Sequence, residues 1–309
     1  MAIMRINAVA TTVALAFSWQ AMAASKQALP EELVLTGNNL IDVTINGLPL
    51  KLEVRPEAAD APTLNPDVAA KLQLKPGMFG FITAVGSERV SGDSAVHKVD
   101  YGAGAKNQRI FWANRASSTI ADGIISPASL PYKRVRFQLA QPAPGERTQQ
   151  LPLDNFGFLG RGGIGTTLPV DGGDIRFQFS LQRAETLTSA PTGNWLAHNR
   201  DGRFTGPPKQ TLIYFGIQRP TREMTLAKPV AIGETLLTTV DVRYSDYGDA
   251  SGIAEQAPEG ADSDEIVVVA KKDKKVDLRI VAGRRFLQGC SSLLYDLQQR
   301  NLTLSCKTG

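Results

Sequence analysis

The stretch LIDVTINGLPLKLEV, residues 40–54, constrains the fold more than any other part of the chain. Ile41, Val43 and Ile45 alternate with polar residues, Asn46-Gly47 supplies a two-residue turn, and Leu48, Leu50, Leu52 and Val54 resume the alternation. A period of two on both sides of an Asn-Gly step predicts a β-hairpin with one buried face. A chain that begins this way is expected to be built of strands.

Further strand signals follow. After the loop RPEAADAPT, Asn65 is placed to cap a helix, Pro66 suits its first turn, Asp67 favours the positive helix end, and Pro76-Gly77 stops it. GFITAVGSERVSGDSAVHKVDYGAG predicts a mobile hairpin, and QRIFWAN a supporting strand. ADGIISPASLPYKRVRFQL predicts a strand, a short helical step at Pro127 to Leu130 and another strand, ending a first unit near Ala140. Residues 141–165 are rich in Pro, Gly and Gln and read as a connector. From 166 the plan repeats: Leu168 and Val170, the turn Asp171-Gly172-Gly173, then Ile175, Phe177, Phe179 and Leu181, then the loop QRAETLTSAP. Two copies of one β unit, 24–140 and 166–309, are the predicted organisation, and 309 residues suffice for a core in each.

The first 23 residues carry a cation at Arg5, an apolar run from Ala8 to Phe17, and small residues at Ala21 and Ala23. This is the pattern of a secretory leader cut near Ala23, and its run is too short to span a bilayer. The expected mature protein is periplasmic or secreted, with no transmembrane span. Removing the leader takes away one charge, Arg5, so the +4 of the chain becomes +3. That small excess, scattered through the sequence, argues against nucleic acid as a partner. Cys290 and Cys306 flank SSLLYDLQQRNLTLS, two strands around a turn near Leu297 to Gln299, which sets them opposite each other at the hairpin's open end. A disulfide is expected in an oxidising compartment, with two buried thiols as the alternative.

Several chemistries are poorly served. GRGGIG matches the Gly-x-Gly-x-x-Gly dinucleotide pattern at Gly160, Gly162 and Gly165, but the residues after it predict a strand where that motif needs a helix N-terminus. With only His97 and His198, and two cysteines expected to pair, no metal ligand set is expected. There is no Gly-x-Ser-x-Gly elbow for a serine hydrolase. No cofactor is expected.

Four segments, INGLPLKLEV, TLNPDVAAKLQL, ADGIISPASL and VAGRRFLQGCSSLLYDLQQRNLTL, resemble retropepsin-like aspartic proteases, in particular bacterial exported aspartyl-protease-like proteins. The resemblance covers most of the mature chain and implies an all-β fold with short helices and two lobes, a double retropepsin-like barrel as in pepsin-like enzymes. Catalysis in that family needs one aspartate from each lobe, close enough that like-charge repulsion keeps one protonated while the other activates water. Here Arg55, Pro56 and Glu57 stand where the first Asp-Thr-Gly belongs, and Gln182 or Ser180, followed by Arg183, stands at the second. A guanidinium is always protonated and accepts no hydrogen bond, so it cannot serve as a base. The closing glycine of the first lobe is Ser126, and Gly283 is kept in the second; Asp122 belongs to the structural Asp-Gly step. The resemblance therefore implies a frame without its catalytic dyad. Displaced acids at Asp60 and Glu185 are the alternative, and a solvated loop carboxylate is the plainer reading of Asp60.

A charged insertion spans 244–277, acidic at first, basic at its end, with the β-branched run Ile266, Val267, Val268 and Val269 between. DEIVVVA, 264–270, resembles the TonB box by which outer-membrane receptors pair with an energy-transducing periplasmic protein through strand addition. Val269 and Ala270 folding back onto Val276 and Leu278 is the alternative. Three functions are thus expected in order: an exported, non-catalytic protein holding an extended peptide or protein segment between lobes; a periplasmic aspartic endopeptidase with displaced acids; and an envelope protein contacting a TonB-type partner.

Overall fold

The structure is a computed structural model that describes residues 28–157, 162–170, 173–246, 250–255 and 277–307. The leader, Gly160, the run Ile266–Val269 and most of the insertion 244–277 lie outside the described residues.

Strands dominate. The first half runs β1 (Glu32–Leu35), β2 (Leu40–Ile45), β3 (Leu48–Val54), β4 (Thr63–Leu64), α1 (Pro66–Lys71), β5 (Gly80–Val85), β6 (Glu88–Asp100), β7 (Lys106–Ala113), β8 (Gly123–Ile125), a 3-10 turn (Pro127–Ser129) and β9 (Arg134–Gln138). Next come β10 (Glu146–Pro152) and β11 (Asp154–Asn155), then β12 (Ile164–Val170), β13 (Gly173–Phe179), β14 (Leu187–Ser189), α2 (Ala190–Arg200), β15 (Gly202–Phe204), β16 (Lys209–Tyr214), β17 (Ile217–Ile232), β18 (Thr235–Arg243), β19 (Leu278–Ala282), β20 (Cys290–Asp296) and β21 (Asn301–Lys307). Among the described residues no helix is long and apolar enough to cross a membrane.

The Asn-Gly hairpin forms as its pattern requires, with Asn46 and Gly47 at φ 49° and 86° and Val43 opposite Leu50. Positive φ at both central residues gives the turn the twist of its strands. The sheet runs β2-β3-β8-β4-β7-β6-β5, and an additional β2–β6 pairing closes the first six strands into a barrel. Gly123 permits the close passage of β4, since a Cβ there would meet Thr63 O at 2.4 Å and Leu64 Cα at 2.9 Å.

The same order of pairings recurs in the second half. β3 is parallel to β8 and β13 to β19; β4 lies antiparallel to β8 and parallel to β7, as β14 lies to β19 and β18; β5–β6–β7 is matched by β16–β17–β18. The halves are joined by a third sheet, β1-β9-β20-β21-β10, in which β9 of the first half pairs antiparallel with β20 of the second. Phe137 and Tyr295, both fully buried, meet edge to face in that seam, ring centroids 5.9 Å apart. Cys290 stands opposite Cys306 at the start of β20 and the end of β21, and the two form a disulfide.

Within 141–165, Glu146–Pro152 pairs along its whole length with β21. Two other local features differ from the sequence pattern. Asn65 occupies the N-cap position of α1 without a side-chain cap; its amide instead donates to Ser118 O and Ala121 O and accepts from the backbone N–H groups of Ser117 and Ser118. That buried loop offers it more partners than the helix end does. The helix α2 was not anticipated, although Ser189 before Pro191 and Asp201-Gly202 after Arg200 mark its ends. The strand Ile164–Val170 after Gly162 and Gly163 leaves no helix N-terminus for a pyrophosphate.

Candidate functional site

Where the chain leaves β3, Val54 pairs with Ile125 and the Arg55 N–H donates to Ile125 O at 2.9 Å. Where it leaves β13, Phe179 pairs with Ala282 and the Ser180 N–H donates to Ala282 O at 2.8 Å. Arg55 and Ser180 therefore hold the same register position in the two halves. By this register Ser180 corresponds to Arg55, and Gln182 to Glu57. Gly283, where a Cβ would lie 2.2 Å from Glu185 O, is matched by Ser126, whose Oγ accepts from Ala128 N and caps the 3-10 turn.

The two loops are stitched together. Ser180 Oγ donates to Glu57 Oε1 at 2.7 Å, and the Ile164 N–H donates to Pro56 O at 3.2 Å. Between them opens a cleft of ≈ 530 Å³ lined from both halves, with Arg55, Glu57, Gln182, Arg183 and Glu185 on its walls and the hairpin residues Thr211 to Gly216 across it. Glu53, which the alternation of β3 assigns to the solvent face, is 1% exposed. Its Oε2 accepts from Arg55 Nη2 at 2.5 Å and from Ser118 Oγ at 2.6 Å. The sequence signal was its spacing from Arg55, since residues two apart on a strand share a face.

Four buried side-chain atoms of the residues around this cleft make no hydrogen bond within the protein: Arg55 Nε, Glu57 Oε2, Gln182 Oε1 and Arg183 Nε. Two are donors and two are acceptors. Burial lowers the pKa of Arg183, with the negative charge of Glu57 opposing that shift and the positive charge of Arg55 adding to it. Burial also raises the pKa of Tyr214, whose hydroxyl feels the charges of Arg55, Glu57 and Glu53.

Asp60 does not line this cleft. It is half-buried, accepts from Asn155 Nδ2, and has its pKa raised by burial, with the hydrogen bonds from Asn155 and Ser126 opposing the rise. Glu185 does line the cleft and is half-buried. His97 Nδ1 faces Asn46 Nδ2 at 3.0 Å beside the first hairpin's turn, and His198 is exposed in the last turn of α2. Among the described residues no three His, Cys, Asp or Glu side chains gather to hold a metal ion.

No model of a protein family matches this chain, and no curated protein matches it.

Proposed function

We propose that this is an exported protein of two aspartic-protease-like lobes that has no catalytic dyad and holds an extended peptide or protein segment in the cleft between them. The repeated pairing order supports the two-lobed reading, and the equivalence of Arg55 and Ser180 carries the functional one. In a protease of this architecture those two positions would be carboxylates sharing a proton. Arg55 is a permanent cation held by Glu53, and Ser180 spends its hydroxyl proton on Glu57. Neither side chain can take a proton from water.

The cleft is suited to a main chain. The guanidinium groups of Arg55 and Arg183 on the cleft wall are donors suited to peptide carbonyls, and the side-chain oxygens of Glu57 and Gln182 are acceptors suited to peptide N–H groups. The full chain, after export, is to be incubated with a mixed hexapeptide library at acidic and neutral pH, with and without a pepstatin-type inhibitor. Binding without turnover is expected, weakened about tenfold by Gln182→Ala through loss of one buried hydrogen bond. Inhibitor-sensitive cleavage that Asp60→Asn or Glu185→Gln abolishes would instead establish the peptidase reading.

A further inference from the structure

One wall of the cleft, Thr211 to Gly216, is itself an extended segment of this chain, held by a residue of the opposite wall. Among the described residues β16 has a single strand neighbour, β17, and residues of β16 line the cleft. There Arg183 Nη1 donates to Leu212 O at 3.1 Å and Nη2 to Ile213 O at 2.6 Å. Carbonyls of successive residues in a regular strand point to opposite sides. The register shift between Leu212 and Tyr214 is what lets one guanidinium reach both. Tyr214 follows, its hydroxyl under the combined charges of Arg55, Glu57 and Glu53.

The hairpin tip is held separately from the main core. Phe215 and Ile217 bury against Val85, Val90 and Ala113 in a small cluster of their own, and Arg219 Nη1 reaches Ser87 Oγ at 3.4 Å. Phe215 sits at φ 52° ahead of Gly216 at φ 72°, a conformation that an aromatic side chain rarely adopts and that Asn or Gly would adopt without cost. The small apolar cluster holds this strained turn in place.

We propose that Thr211 to Gly216 is an internal occupant of the Arg183 guanidinium on the cleft wall, displaced when a ligand binds, and that the ligand is an extended peptide resembling this segment, whose main-chain carbonyls take over the guanidinium. This rests on the peptide-holding reading above. The ligand's carbonyls take the Arg183 guanidinium from Leu212 and Ile213, and an aromatic side chain takes the place of Tyr214 beside Arg55.

The test uses a fluorescently labelled, end-blocked peptide Thr-Leu-Ile-Tyr-Phe-Gly and a scrambled control, with the wild-type protein and the variant Phe215→Ser/Ile217→Ser. Releasing the tip is expected to tighten binding of the peptide about tenfold or more, as removal of a closed state that holds over nine-tenths of the molecules requires. The scrambled peptide should bind neither protein as well. Hydrogen exchange on the wild type, which needs no variant to fold, should show the amides of 211–217 exchanging faster when peptide is in excess. Equal affinity for wild type and variant, or no change in exchange at saturation, overturns the proposal. If library peptides bind while this sequence has no advantage over its scramble, the internal-occupant idea fails alone. If no library peptide binds either protein, the underlying reading fails with it.

Discussion

A carboxyl group that is 1% exposed is costly to bury without polar partners, and Glu53 has them in Arg55 and Ser118. Removing one partner of such a pair strands the other. Arg55→Met is therefore expected to lower stability to urea by about 3 kcal/mol, Ser118→Ala by about 1 kcal/mol, and Glu53→Leu/Arg55→Met by clearly less than Arg55→Met alone. If the double variant is the least stable of the three, the pair is a net stabiliser and this account of it fails. Asp60 gives a second residue-scale prediction. Burial raises its folded pKa above the unfolded value, so the folded state binds the proton more tightly and the contribution of Asp60 to stability falls as pH rises through that interval. Asp60→Asn should thus gain most on the wild type at neutral pH, and that gain should shrink as pH falls through the raised pKa towards the unfolded value near 3.9. Parallel pH–stability curves for the two proteins would show that the burial is not felt. The spacing of Glu53 from Arg55 was legible in the sequence, but the burial of Glu53 and of Asp60 was not. Glu53 alternates out of phase with Leu50 and Leu52, which marks it for solvent, and only the third-dimension cover of the Ser118 loop buries that face.

At the scale of elements, the hairpins were readable because their signal is local. Alternation and turn residues within fifteen positions decide them, as in Leu40 to Val54 and again in the strands flanking Gly86. Glu146–Pro152 was not readable. Its one buried residue is Leu151, with Glu146 and Gln149 half-buried, and it becomes a strand by pairing with β21, which the chain supplies some 150 residues later. The helix α2 hides for a related reason: Thr192 and Gly193 bury alongside Leu196, so its inner face is not apolar in sequence. The crossing of β14 past β19 depends on Gly283, where a Cβ would strike the Glu185 and Ala184 carbonyl oxygens at 2.2 and 2.6 Å. Both obstacles are backbone, which cannot rotate aside. Gly283→Ala is expected to cost about 3 kcal/mol, and Gly37→Ala, at a turn with open space around it, about 1 kcal/mol from its φ of +61° alone. Thermal melting of the two variants checks the order.

For the molecule as a whole, the shared sheet determines how it comes apart. β9 belongs by sequence to the first half, yet its neighbours are β1 on one side and β20 on the other, with Leu293 opposite Phe137 and Tyr295 opposite Val135 at full burial. Neither half can lose its closing strand without exposing apolar surface of the other. Unfolding followed by Trp fluorescence and by circular dichroism should therefore give one coincident transition, although the sequence alone predicted two units with a connector between them. The disulfide lies in the same sheet, closing a loop of sequence separation 16 between β20 and β21. Reduction is expected to lower stability by roughly 3 kcal/mol on the chain-entropy estimate. Because β20 also carries the seam to β9, the whole transition should move to lower denaturant together. A reduced protein in which only one portion of the signal shifts, leaving a second transition where the oxidised one stood, would mean that the halves hold their own cores and the shared sheet is not what couples them.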